Sequence, residues 1–217
     1  FARPGGISHD DYTKKASDYF AKFNIKVKGL HEFENKITAI DNAKGYFTGG
    51  GNTFLLVKKL TDEFEDYTLH PPEGEEGESY VIQNWLERQL MSVLRDNIKQ
   101  GKPYLGTSAG SNIGGLNMKT TNDMPIVMPS TFDCMGLVPF NINAHFLDPN
   151  PDMKHNGETR ETRILEFLTQ NDTKVVGLRE GNWIRRIENK ITVEGLHTTR
   201  IFEKGKTPYE IEAGTEL

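Results

Sequence analysis

The stretch Gly106-Thr107-Ser108-Ala109-Gly110 constrains the fold more than any other part of this chain. It follows the short apolar run Pro103-Tyr104-Leu105 and precedes Ser111-Asn112-Ile113-Gly114-Gly115. A serine between small residues, where a strand ends and a helix begins, has the build of a nucleophile elbow. The turn is too sharp for bulky neighbours, so glycines flank it. The serine oxygen then projects from the sheet edge, close to backbone N–H groups that can meet an oxyanion. A plain strand-to-helix turn uses the same residues, so the motif alone leaves catalysis open. Either way, strand, tight turn and helix must follow one another here.

The flanking sequence repeats that succession. Ser8 is placed to cap a helix, with Asp11 in its first turn and Tyr12, Ala16, Tyr19, Phe20 and Phe23 at helical spacing. Ile25, Val27 and Leu30 read as a strand, Ile37 to Ala43 as a short helix, and Tyr46-Phe47-Thr48 as a short strand. After Gly49-Gly50-Gly51-Asn52, the residues Phe54, Val57, Leu60 and Phe64 share a helix face. His70 to Glu78 is rich in Pro, Gly and Glu and reads as a solvated loop insertion, with a lid as its functional alternative. Ser79 opens a helix that ends before Gly101, and Pro103 to Thr107 is the strand carrying the elbow. Leu137 to Ala144 and Lys174 to Leu178 read as strands around a helix over Thr159 to Gln170. The remainder reads as antiparallel hairpins.

Strands alternating with helices predict an α/β unit with a mostly parallel sheet, and no repeat or linker divides residues 1–217, so one domain is expected. In such sheets, sites form at the carboxyl ends of the strands. Thr48-Gly49, Thr107-Ser108, Ala144-His145 and Arg179-Glu180 all sit at such ends.

Composition removes several function classes. A net charge of −5 over 217 residues argues against broad nucleic-acid binding, which needs a basic face. No apolar run is long enough to span a membrane, and no secretory signal is visible. The single cysteine, Cys134, allows no internal disulfide, fits a reducing, cytoplasmic setting, and reads as core packing among Phe132, Met135 and Leu137. No Cys/His cluster and no zinc-helix spacing occur, so neither a metal nor a cofactor is expected. Gly49-Gly50-Gly51-Asn52 lacks the features of a nucleotide loop and serves better as a source of N–H groups facing an oxyanion. The chain begins at Phe1 without methionine, and its first residues read as a loop after a strand that the sequence does not contain.

Ser108 needs a base. Of the six histidines, His145 follows a strand and reaches the edge expected for Ser108; His31 also follows a strand and reads as a surface residue, His9, His70 and His197 lie in polar surroundings, and His155 lies in a loop. The base needs an orienting carboxylate, and two are available: Asp123, between Ser108 and His145 in sequence, and Glu180, at the end of a later strand.

Six ordered segments resemble the peptidase E, or α-aspartyl dipeptidase, family of serine peptidases. They are Gly49–Phe54, Gly106–Asn112, Thr120–Ile126, Ile142–Phe146, Gly157–Arg163 and Gly177–Trp183. The resemblance implies a three-layer, glutamine-amidotransferase-like (flavodoxin-like) α/β fold with C-terminal antiparallel hairpins. It also implies cleavage of dipeptides with an N-terminal aspartate. Ser108 would be the nucleophile, His145 the base, Glu180 the triad acid and Asp123 a second essential acid. The N–H groups of Gly51 and Ala109 would form the oxyanion hole, Arg160 would pair with the aspartyl carboxylate, and Asn52 would contact substrate. Asp123 is an alternative partner for the substrate's α-amino group.

The chain departs from that pattern in its missing first strand, in an acidic insertion over roughly Thr61 to Ser79, in Thr107 before the nucleophile, and in Arg179 where a proline is expected. The partners expected are small Asp-Xaa peptides, with no nucleic acid or membrane, in a monomer or homodimer. Two other readings use the same residues: an α/β-hydrolase esterase built on Ser108, His145 and Asp123, and a binding module that holds a small acid without reacting.

Overall fold

A computed structural model of the chain describes residues 6–62, 89–148 and 157–217. The acidic loop over His70 to Glu78, the helix start at Ser79, and His155 lie outside the described residues. Ser8 caps helix α1 (His9–Phe20), its hydroxyl oxygen accepting from the Asp11 N–H at 3.1 Å. The apolar face expected on α1 is only partly covered: Tyr19 and Phe23 remain exposed, while Phe20 meets Phe47 with ring centroids 5.2 Å apart and the Tyr12 ring lies over Gly49. The strand expected over Ile25 to Leu30 is absent. These residues run as irregular chain into a 3-10 turn, Leu30–Glu32, in which the Glu32 carboxylate takes the Gly29 N–H at 2.5 Å. Alternating apolar residues need a neighbouring strand to become a ladder, and this segment pairs with none among the described residues.

Helix α2 (Lys36–Asn42) is capped by Asn35, and strand β1 (Tyr46–Thr48) follows. Helices α3 (Thr53–Thr61) and α4 (Leu90–Lys99) precede strand β2 (Tyr104–Gly106), which pairs parallel with β1 from Tyr46 against Tyr104 to Thr48 against Gly106. Gly101, in the left-handed region at φ 104°, stops α4 as expected. Ile40, Leu56, Val57, Leu60, Met91 and Leu94 from the three helices pack with Ala109 and Ile113 beyond β2. The elbow is therefore held by a continuous apolar layer.

Short helix α5 (Ala109–Asn112) leaves the elbow and lies against β1, β2 and strand β3 (Asn141–Ala144). The strand expected from Leu137 starts only at Asn141, because Pro139 has no N–H to give a ladder. Helix α6 (Arg160–Gln170), capped by Thr159, leads to strand β4 (Val175–Leu178). Strands β3 and β4 pair parallel and are buried at every position, as expected for strands covered on both faces.

The C-terminal part is antiparallel. Strands β5 (Asn182–Ile187) and β6 (Lys190–Gly195) form one hairpin; β7 (Thr199–Phe202) and β8 (Tyr209–Ile211) extend the β3–β4 sheet in the order β3-β4-β7-β8. Val175 and Phe202 turn to one face and pack on Ile164 and Leu168 of α6. Val176, Leu178 and Ile201 turn to the other and pack with Ile191 of β6. A helix, a sheet and a hairpin thus form three layers, giving the expected α/β class with parallel pairs in the body and antiparallel strands at the end.

Candidate active site

Each parallel strand ends on a residue singled out by the sequence. Ser108 follows β2 with φ 57° and ψ −114°, and His145 follows β3 with φ 57°. Side chains rarely tolerate this region, and such strain persists only where the surroundings impose it. Among the described residues two other non-glycines share positive φ: Asn24 ends a 3-10 helix and Glu188 lies in the β5–β6 turn. Ser108 and His145 instead sit in the turns that immediately follow parallel strands β2 and β3.

Glycine is required around Ser108. A Cβ on Gly110 would run into the Thr48 carbonyl, and one on Gly50 would lie 3.0 Å from the Ser108 Cβ and 3.3 Å from its Oγ. The Gly49-Gly50-Gly51 loop therefore approaches the serine as closely as backbone can. The N–H groups of Gly51 and Ala109 donate to no described residue. They remain available to an oxyanion; that of Ala109 is the first N–H of the helix Ala109–Asn112, a group that generally lacks an intrahelical partner.

His145 Nδ1 and Glu180 Oε1 are in direct hydrogen-bond contact. Their side chains are 50% and 74% exposed, so the pair lies at the surface. The Ser108 hydroxyl makes no hydrogen bond with the described residues, His145 included. Nucleophile–base contacts are commonly long in a free enzyme and tighten with substrate.

Asp123 stands elsewhere. Its Oδ2 accepts from the Thr53 N–H at 2.7 Å, the Thr53 hydroxyl at 2.5 Å and the Thr121 hydroxyl at 3.1 Å. It closes the start of α3 rather than orienting His145, which removes the geometric basis of the esterase reading. Asn52 caps the same helix: its Oδ1 accepts from the Leu55 N–H at 3.0 Å and its Nδ2 donates to the Met124 carbonyl at 2.8 Å. The substrate contact expected of Asn52 thus falls on a side chain already engaged at both ends.

Asn112 was not anticipated from the sequence. On α5, four residues after Ser108, its Nδ2 donates to the Thr53 and Thr121 hydroxyls at 3.0 and 3.1 Å. Its Oδ1 accepts from the Ala144 N–H at 3.4 Å, one residue before His145. A single buried amide thereby links the end of the glycine loop, the elbow helix and the strand that delivers the imidazole. Its place inside the helix after Ser108 was the available signal, since a buried asparagine must find partners.

Arg160 begins α6. Its Nη1 is buried without a hydrogen-bond partner. Burial, reinforced by the neighbouring charge of Arg163, holds its guanidinium below the ordinary arginine range, and Glu180 opposes the effect. An unpaired buried guanidinium N–H is costly and calls for an anion. Cys134 is buried in the core, as expected, and burial pushes its thiol up to about 12. Among the described residues no group of three or more His, Cys, Asp or Glu side chains could hold a metal, and no helix is long and apolar enough to cross a membrane.

The sequence matches peptidase family S51 over residues 6–70 and 77–194. A peptidase E from Streptomyces coelicolor is 39% identical over 209 residues, covering 96% of this chain and 76% of its own. Peptidase E from Shewanella amazonensis is 37% identical, covering 97% of this chain and 79% of its own. A solved structure from Listeria monocytogenes EGD-e aligns with 74% of this chain and 64% of its own at 18% identity, with a TM-score of 0.43. With the family match covering most of its length, the chain belongs to peptidase family S51.

Proposed function

We propose that the protein is a serine exopeptidase that hydrolyses dipeptides carrying an N-terminal aspartate. The observation that carries the reading is the His145–Glu180 contact at the ends of β3 and β4, with Ser108 in its strained turn at the end of β2. In this scheme the Ser108 hydroxyl attacks the peptide carbonyl while His145 Nε2 takes its proton. Glu180 fixes the tautomer through Nδ1 and stabilises the imidazolium. The N–H groups of Gly51 and Ala109 receive the oxyanion. His145 then gives the proton to the departing amine, which leaves as the second amino acid. Water, deprotonated by the same imidazole, attacks the aspartyl–serine ester and releases aspartate.

Arg160 supplies the specificity. Its guanidinium fork matches a carboxylate bidentately and is always charged, and its buried Nη1 has a place for one more acceptor. The aspartyl side chain is that acceptor. Asp123, whose three described side-chain hydrogen bonds all fall on Oδ2, has Oδ1 left to meet the substrate's α-ammonium group.

The test offers Asp-Leu, Glu-Leu and Asn-Leu and follows release of leucine. Asp-Leu should be turned over, with the other two much slower, and Arg160→Ala should raise the Michaelis constant for Asp-Leu. Equal turnover of all three peptides contradicts the aspartyl preference.

A further inference from the structure

We propose that Arg179 is a positioning residue for this reaction, clamping the backbone segments that carry His145 and Glu180 so that the two side chains meet. The inference rests on the Ser108–His145–Glu180 reading above and adds a residue that the reading does not contain.

The pair has little to hold it in place by itself. Both side chains are largely exposed, and exposed ion pairs align weakly because solvent screens them and side-chain entropy opposes them. His145 also sits at φ 57°, a conformation its surroundings must enforce. Alignment therefore has to come from the backbone on either side, and one guanidinium joins the two backbones.

Arg179 immediately precedes Glu180 and is 16% exposed. Its Nε and Nη2 donate to the two oxygens of Asp148, at 2.9 and 2.7 Å, three residues after His145. Its Nη1 and Nη2 donate to the two oxygens of Glu210 on β8, at 2.8 and 2.9 Å. The remaining Nη1 hydrogen goes to the Thr198 carbonyl at 2.7 Å, with the Thr198 hydroxyl at 3.1 Å. Every guanidinium hydrogen is used, and each carboxylate is held by a fork. The guanidinium carbon also lies 5.6 Å from the ring centroid of Phe146, the residue after His145. Phe146 is buried, and its N–H donates to the Leu178 carbonyl at 3.0 Å, carrying the β3–β4 pairing past the histidine.

The consequence is geometric. His145 is pinned before by the β3–β4 ladder, after by Phe146 and Asp148, and Glu180 is pinned by the residue before it. The same side chain grips both segments, so a shift of one carries the other with it. Bidentate geometry matters here, because a point charge would tether the segments without fixing their angle.

The experiment measures the rate at which a fluorophosphonate probe labels Ser108 in wild type, Arg179→Met, Glu180→Gln and the double variant, with Ser108→Ala as the unlabelled control. Arg179→Met should slow labelling by roughly 10- to 100-fold, as small misplacements of a catalytic group do. In the Glu180→Gln background the same change should slow it by less than about threefold, because two residues acting through one contact are not additive. Arg179→Lys should recover only part of the rate. If Arg179→Met does not fold, Asp148→Asn opens one fork alone and should show a smaller slowing with the same dependence on Glu180. Labelling of Arg179→Met at the wild-type rate overturns the proposal, as does an equal slowing in both backgrounds. Labelling of Ser108→Ala at the wild-type rate instead sinks the serine-peptidase reading itself.

Discussion

The backbone N–H and the hydroxyl of Thr53 both donate to the same oxygen of Asp123, at 2.7 and 2.5 Å, across 70 residues of sequence. The glycine loop ends at Thr53, so this carboxylate fixes where the loop stops and the helix behind it begins. Asp123→Asn keeps the shape and removes the charge. It should lower stability by about 1.5–3 kcal/mol, the range for hydrogen bonds to a charged group, alongside a loss of turnover. Urea unfolding of the variant checks this; unchanged stability contradicts the anchoring role.

Glu180 gives the opposite pattern. Its side chain is 74% exposed and its described hydrogen-bond contact is His145. Glu180→Gln should leave stability within about 0.5 kcal/mol of wild type, as surface changes do, while kcat falls by up to ~10⁴, the effect of removing the orienting acid in a trypsin-type triad. Steady-state kinetics with Asp-Leu, beside a thermal unfolding curve, separates the two carboxylates.

Arg160 should trade activity against stability. Replacing it with methionine removes a buried donor that has no protein partner. The variant should be as stable as wild type, or more stable by about 1 kcal/mol, with a raised Michaelis constant for Asp-Leu. A clear loss of stability with an unchanged Michaelis constant contradicts the assigned role.

Glu210 carries a pH signature. The hydrogen bonds from Arg179 hold its carboxyl down at about 2, against an ordinary value of 4.5. A depressed carboxyl contributes stability above its unfolded value, and that contribution disappears as pH falls toward the folded value. Glu210→Gln should therefore be less stable than wild type at pH 7, with the gap narrowing between pH 4.5 and about 2. Urea midpoints for both proteins across that range check the prediction; a gap that stays constant into acid contradicts it.

The strand ends were legible because each follows a short apolar run bounded by glycine or polar residues, and the sequence placed Ser108, His145 and Glu180 there. Helix caps such as Ser8 and Thr159 were legible for the same local reason. Partner choice was not. Asp123 and Glu180 are equally plausible acids in one dimension, and only the parallel pairing of β3 with β4 sets Glu180 beside His145. Ile25 to Leu30 has the alternation of a strand, but alternation does not say whether a neighbour exists. Arg179 was noticed only as an unexpected neighbour of Glu180. Its two carboxylate partners, Asp148 and Glu210, lie 31 residues away on either side, beyond the reach of any local pattern.

Hydrolysis by this route passes through a covalent aspartyl ester at Ser108. Rapid acid quenching of the enzyme during turnover of an aspartyl ester substrate, followed by mass mapping of its peptides, looks for that species directly. The predicted result is a mass gain of one aspartyl residue on the peptide containing Ser108, absent from Ser108→Ala, which also fails to release leucine from Asp-Leu. An adduct on any other residue, or undiminished hydrolysis by Ser108→Ala, would contradict it.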